Sequence, residues 1–135
     1  MSDLINKIKS ISDLYFLKDG CNDNLINKAQ KDLGLTFPKE YKEYLLHFGA
    51  VSFYATEWTG LNVNGYLNVV EATKEARSLY KDFPKDCFVI ENLNVDGRLV
   101  IGNEQGTIFY FQGKNMIQAY NNLQEYLDSC IARKK

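Results

Sequence analysis

The chain is poor in the side chains that most often carry chemistry, since its 135 residues include one histidine and three cysteines. A structural zinc site needs about four convergent ligands, and Cys21, Cys87, Cys130 and His47 are the whole supply of thiol and imidazole, with no C-x-x-C spacing. A Ser-His-Asp or Cys-His catalytic set would have to use His47, which lies in the last turn of a predicted helix, where an imidazolium suits the helix dipole. We therefore expect no metal, no cofactor and no enzymatic activity, and we interpret the cysteines as small apolar side chains.

Long apolar runs and an excess of charge of one sign are also missing. No segment reaches the ~18 apolar residues that suggest a membrane span, and residues 1–11 mix Asp, Asn and Lys with isoleucines, unlike the apolar region of a signal peptide. The formal net charge is −1, so no global field draws the chain to nucleic acid. We expect a cytoplasmic protein without direct binding to nucleic acid or membrane.

The apolar residues that are present follow an α+β pattern in a single domain, residues 1–135. Glycine-containing turns separate four predicted strands at residues 87–91, 98–102, 107–111 and 116–120, and connections this short favour antiparallel neighbours. Asn64-Gly65 predicts a further hairpin, and Asn68 and Asn122 each begin a capping box for a helix. An N-terminal helix should carry Leu4, Ile5, Ile8, Ile11 and Tyr15 on one face. The expected fold is a mainly antiparallel sheet, with an N-terminal, one middle and one C-terminal helix packed on one face.

The sharpest local signal is a junction between two amphipathic helices. The first helix ends at Leu33, and Gly34 follows where a left-handed residue is cheapest for glycine. Pro38 suits the first turn of the second helix because its φ is fixed and it has no N–H. Tyr41 and Leu45 lie on the apolar face of that helix, where we expect them to be buried, and Gly49 stops it.

Residues 28–35 (KAQKDLGL), 37–46 (FPKEYKEYLL) and Phe48-Gly49 together resemble the SUKH superfamily, which is named after a yeast cell-wall regulator and its bacterial relatives. Its pattern is a polar helix ending in Leu-Gly, then Leu-Pro, two polar residues, Tyr and a Leu-rich helix into Gly. Here Phe37 stands where the family usually has leucine, and Gln30 where it often has glutamate. The matching structural positions are Leu33, Gly34, Pro38, Tyr41, Leu45 and Gly49.

The resemblance implies a protein that binds other proteins. Many bacterial members are immunity proteins, each of which neutralises a cognate toxin, often a nuclease or deaminase, in a stoichiometric complex. The yeast member suggests the alternative, a regulatory scaffold domain that binds a cellular protein or peptide. Both hypotheses name a protein partner.

Candidate contact residues come from the segment after Gly49. If residues 51–58 form one alternating strand, Tyr54 and Trp58 face outward beside Glu57, and exposed Tyr and Trp are enriched in interface hot spots. Packing of Trp58 in the core or at a sheet edge is the alternative, and Tyr66, Tyr110 and Tyr120 carry the same ambiguity. The carboxylates of Glu57, Asp96 and Glu104 are the candidates for steering a basic partner.

Overall fold

The computed structural model describes residues 3–16 and 20–133. Those residues form five α-helices, one short 3₁₀ helix and seven strands. The helices are α1 (Asp3–Lys9), α2 (Asp23–Leu33), α3 (Lys39–His47), α4 (Val69–Leu79) and α5 (Leu123–Ile131), and the 3₁₀ helix is Gly65–Leu67. The strands are β1 (Tyr15–Phe16), β2 (Val51–Phe53), β3 (Thr56–Trp58), β4 (Cys87–Asn92), β5 (Leu99–Asn103), β6 (Ile108–Gln112) and β7 (Asn115–Tyr120). The predicted α+β class is confirmed.

The strands form two antiparallel sheets instead of the one sheet that was expected. The smaller has the order β1-β2-β3 and the larger the order β4-β5-β6-β7. All four strands of the larger sheet were predicted from their glycine turns, and each lies within two residues of its expected bounds. Consecutive strands are neighbours in both sheets. Short connections account for this in the larger sheet and between β2 and β3, whereas β1 and β2 are joined through α2 and α3.

Helices pack on both faces of the larger sheet. Side chains alternate along each strand, so its apolar residues point to both faces and each face needs a cover. One face joins the main core, which also takes apolar residues from α1, α2, α3 and α5 and, at the start of α4, Val69. Its strand residues include Phe88, Ile90, Val100 and Ile108. The other face packs on Ala76 of the middle helix α4 and on Phe83 and Tyr80. Its strand residues are Cys87, Val89, Leu99, Ile101 and Phe111. The middle helix therefore reaches the face opposite the one covered by the C-terminal helix.

The junction between α2 and α3 has the predicted glycine geometry. Gly34 has φ +69°, and its N–H donates to the Gln30 carbonyl at 2.8 Å. The amide oxygen of Gln30 then accepts the Phe37 N–H at 2.9 Å, so glutamine serves the turn where the family often has glutamate. Pro38 caps α3 from just outside, and the helix begins one residue later than predicted, at Lys39.

Thr59 joins the two sheets and is the partner of both helix tyrosines. Its N–H donates to the Ile90 carbonyl at 2.7 Å, at the point where a bulge interrupts the pairing of β4 with β5. Its hydroxyl donates to the Val89 carbonyl at 2.8 Å and contacts the Tyr41 hydroxyl at 2.9 Å. The Tyr44 hydroxyl donates to the Thr59 carbonyl at 2.8 Å. Since an unpaired buried polar group is costly, this network explains why buried positions on α3 carry tyrosine.

Two predictions about local structure are wrong. Asn64-Gly65 does not turn a hairpin: Asn64 is extended, and residues 65–67 form a 3₁₀ turn that leads into the Asn68 cap of α4. The Asn68 side chain fixes this path because it accepts from Val70 and Glu71 and donates to the Val63 carbonyl. Tyr15 does not share the apolar face of α1, which ends at Lys9. It lies in β1, where it pairs with Ser52 of β2.

Candidate partner-binding surface

Of the two placements considered for Trp58, the outward one is wrong and packing in the core is confirmed. Its side chain is 0% exposed and stacks on Tyr126, with ring centroids 5.8 Å apart and planes at 11°. The cause is a tight turn at Tyr54 and Ala55, which both have positive φ, at 45° and 65°. The turn splits residues 51–58 into two paired strands, so Val51 faces Trp58 and both side chains enter the core.

The other predicted contact residues of this region stay near the surface. Tyr54 is half-buried, and its hydroxyl lies 2.9 Å from the Ser12 hydroxyl. Glu57 is partly exposed, and each of its carboxylate oxygens lies 3.3 Å from the Tyr66 hydroxyl, which donates to them. Glu57 is thereby linked to an exposed tyrosine that sequence reasoning left ambiguous.

Asp96 and Glu104 lie at opposite ends of β5, so the structure does not bring them together. Asp96 is exposed in the turn before β5, where its carbonyl accepts from Gln112. Glu104 follows β5, and its carboxylate accepts the Thr36 N–H at 2.8 Å, in the junction between α2 and α3. Glu104 is thus committed to an internal contact, and the five predicted contact residues do not form one surface.

A surface groove between the 3₁₀ helix, α4 and the β4–β5 end of the sheet combines exposed large side chains with carboxylates. We call it the tyrosine groove and define it by Tyr66, Glu75, Leu79, Tyr80, Asn92 and Leu99. Tyr66 and Leu79 are each 64% exposed. Large apolar side chains this open are the ones that lose most water when a partner covers them.

The walls of the tyrosine groove are fixed from behind. On α4, Ala72, Ala76 and Leu79 follow helical spacing, so small alanines form the floor between larger side chains. Tyr80 packs edge-to-face on Phe111, with centroids 5.7 Å apart. Gly97 has φ +72°, which favours glycine, and a Cβ there would lie 2.9 Å from the Tyr80 hydroxyl oxygen and displace that side chain.

The tyrosine groove has an acidic edge. Glu75 lines it, Glu57 accepts from Tyr66, and Glu71 accepts the Gly65 N–H at 3.2 Å beside it. Partial desolvation and the Glu57 carboxylate raise the pKa of the Tyr66 hydroxyl, which therefore stays a neutral donor. Among the described residues that line the groove, none is lysine or arginine. The arrangement suits a partner that offers apolar and cationic side chains together.

A buried ionic cluster lies elsewhere in the fold and was missed by sequence reasoning. Glu91 is 3% exposed; Tyr126 donates to one of its carboxylate oxygens and Arg133 to the other, at 3.2 Å. Arg133 also donates to Thr56 at 2.7 Å. Burial raises the pKa of Glu91, while the bonds from Tyr126 and Arg133 oppose that rise. An acidic residue that ends the apolar run 87–90 was the only signal in the sequence.

The cysteines and the histidine do not assemble a site. Cys87 and Cys130 are buried, and burial raises their pKa to about 12 and about 11, so both thiols stay protonated. Cys21 is half-buried and His47 ends α3 beside Phe48. Over residues 3–16 and 20–133, no group of three or more His, Cys, Asp or Glu side chains is placed to hold a metal ion.

Comparison with known proteins gives two findings. The family model SUKH_5, described as SMI1-KNR4 cell-wall, matches residues 1–132. A protein of Bacillus subtilis (strain 168), described as uncharacterized protein YnaB, is 26% identical over 114 residues, which cover 81% of this chain and 72% of that protein. In the part of the chain that the structure describes, no helix has the length and apolar character needed to cross a membrane.

Proposed function

Because the chain belongs to the SUKH_5 family of SMI1-KNR4 cell-wall proteins, we propose that it is an immunity-type binding protein that neutralises a cognate bacterial toxin in a stoichiometric complex. The family is linked to immunity proteins, and the observation that supports a binding role most directly is the tyrosine groove. Inhibition would follow from occlusion: the bound chain covers or distorts the active site of the toxin, and no turnover is involved.

The tyrosine groove has the composition of an interface hot spot. Tyrosine combines a large rigid ring with a hydroxyl that can hydrogen-bond, so it contributes much contact area at little entropic cost. Tyr66 is oriented by its bond to Glu57, and Tyr80 is held by Phe111 and the Gly97 turn. A rigid surface loses less freedom on binding, which favours affinity.

The acidic edge indicates what the partner offers. Glu57, Glu71 and Glu75 would speed the approach of a basic protein, since complementary charge acts mainly on the association rate. Nucleases present basic surfaces because they bind a polyanion. We therefore propose a basic toxin domain, with a nuclease as the leading class, whose cationic and apolar side chains enter the groove.

The test is rescue of cells that express a toxin encoded beside this gene, followed by calorimetry on the purified pair. Tyr66→Ala should weaken binding at least about thirtyfold, the effect of a hot spot of about 2 kcal/mol. Tyr15→Ala is the matched control, because Tyr15 is 61% exposed but does not line the groove: it lies on β1, and β2 separates it from Glu57. Glu75→Lys should slow association more than it speeds dissociation.

The outcomes separate the function from the site. Full protection by wild type with equal binding of the Tyr66→Ala and Tyr15→Ala variants would move the interface elsewhere and keep the immunity role. No protection, together with capture of a host protein in toxin-free cells, would reject the immunity role in favour of a regulatory scaffold domain.

A further inference from the structure

The outer strand of the larger sheet, β7 (Asn115–Tyr120), leaves one edge open. The opposite outer strand, β4, is met by the Thr59 N–H, which binds the Ile90 carbonyl. On β7, Ile117 is 66% exposed and Met116 is 39% exposed, on opposite faces of the strand. An open strand edge is a template for pairing with another strand.

The turn before β7 decides which backbone groups face outward. Gly113 and Lys114 form a two-residue loop, with Gln112 and Asn115 paired across it. In such a hairpin the flanking pair shares hydrogen bonds, and hydrogen-bonded pairs then alternate along the ladder. Tyr110 and Ile117 are the next such pair, so the N–H and C=O groups of Met116 and Gln118 point away from β6.

Those outward groups are open within the described residues. Apart from the ladder with β6, no backbone hydrogen bond from another described element reaches Met116 or Gln118. The sequence of the strand, NMIQAY, contains no charged residue and no proline, which are two of the features that usually block pairing at an edge. The one irregularity in its pairing with β6 falls at Ala119, after the outward groups of Met116 and Gln118.

We propose that β7 pairs antiparallel with β7 of a second copy of this chain, across a two-fold axis at Ile117. In that register Met116 lies opposite the partner subunit's Gln118, and their outward groups exchange two hydrogen bonds on each side of the axis. The two Ile117 side chains meet at the axis in a non-hydrogen-bonded pair, where side chains approach most closely. The two four-stranded sheets become one sheet of eight strands.

Charge supports self-pairing. When a strand pairs with itself about a two-fold axis, the residue at the axis faces its own copy, so a charged residue there would face a like charge. In the proposed register β7 brings none together, and Lys114 faces the partner subunit's Tyr120. The axis is apolar because Ile117 meets its own copy, which is how a self-complementary two-fold interface is built.

Sedimentation velocity of the full chain tests the proposal. Wild type should sediment as a dimer, and Ile117→Lys should raise the dimer dissociation constant at least about 100-fold, because it places two ammonium groups at the axis. Val95→Lys is the matched control: Val95 is 55% exposed in the β4–β5 turn and should leave the dimer intact. Circular dichroism confirms that each variant is folded.

A crosslink tests the register. Ile117→Cys in a Cys21→Ser background should form a disulfide-linked dimer under mild oxidation, because residues opposite each other in a non-hydrogen-bonded pair lie within disulfide reach. Val95→Cys in the same background should not. The proposal would be overturned by a monomeric wild type or by a dimer that Ile117→Lys leaves unaffected. It would also be overturned if the β7 edge paired only with a strand of the toxin.

Discussion

Loss of Arg133 should expose how much the buried ionic cluster contributes to stability. The guanidinium lies 2.7 Å from the Thr56 hydroxyl and 3.2 Å from the Glu91 carboxylate. Removing one partner of a buried ion pair costs about 3–5 kcal/mol, since the other charge stays buried without compensation. The Arg133 side chain is 27% exposed, so in the variant water can replace part of the interaction that the guanidinium makes with Glu91. We expect Arg133→Ala to lower the free energy of unfolding by about 2–3 kcal/mol.

The exposed pair of Lys7 and Asp128 is the matched control. Its atoms are closer, at 2.6 Å, but its side chains are 42% and 54% exposed. Exposed ion pairs contribute about 0–1 kcal/mol, so Lys7→Ala should cost little despite the shorter distance. Urea unfolding followed by the fluorescence of Trp58, the one tryptophan, measures both variants on the same scale.

The pH dependence supplies an independent check. Burial raises the pKa of Glu91 above its usual 4.5. Between the pKa of the unfolded state and the higher pKa of the folded state, the folded protein therefore holds a proton that the unfolded chain releases. Across that pH range, Glu91 makes the free energy of unfolding fall as the pH rises. Arg133→Ala removes a cation that opposes the rise. The deficit of the variant should therefore shrink as pH falls from neutral to about 5. Equal losses in Arg133→Ala and Lys7→Ala, or a deficit independent of pH, would refute the reasoning.

Two further substitutions test the turn geometry and the core. Gly34→Ala should lower the free energy of unfolding by about 1 kcal/mol from its positive φ alone, since nothing lies within 4 Å of the added Cβ. Gly60→Ala should lower it more, because the added Cβ would lie 1.4 Å from the Gly49 carbonyl oxygen. A smaller loss of stability in Gly60→Ala than in Gly34→Ala, measured by thermal melts, would contradict this. Trp58→Ala should cost about 3–5 kcal/mol by circular dichroism, and an unchanged melting temperature would return the indole to the surface.

Local chemistry was readable from the sequence. The left-handed Gly34 and the side-chain caps of Asn68 and Asn122 depend on a few neighbouring residues, and the structure confirms all three. The second half of each predicted capping box is wrong, because Glu71 accepts the Gly65 N–H and Glu125 the Asn121 N–H instead of the N–H of the capping asparagine. The strands of the larger sheet were predictable for a related reason: the turns between them are too short to allow anything but antiparallel neighbours.

Features that depend on distant contacts were not readable. The burial of Trp58 follows from positive φ at Tyr54 and Ala55, which neither residue signals, because non-glycine residues seldom adopt it. The ion pair joins Glu91 to a residue 42 positions away. The tyrosine groove likewise needs the 3₁₀ helix, α4 and the sheet to converge, so Tyr66 alone could not reveal it.

The position of α5 has a consequence for how the chain is made. Tyr126, Leu127 and Cys130 are each 0% exposed in the main core, and the Leu123 N–H binds the Glu40 carboxylate, 83 residues earlier. During synthesis every other element described here leaves the ribosome before α5, with the ring of Trp58 uncovered. Until α5 docks, the nascent chain exposes an aggregation-prone aromatic surface. The yield of folded protein in cells should therefore depend on chaperones and on the rate at which α5 docks.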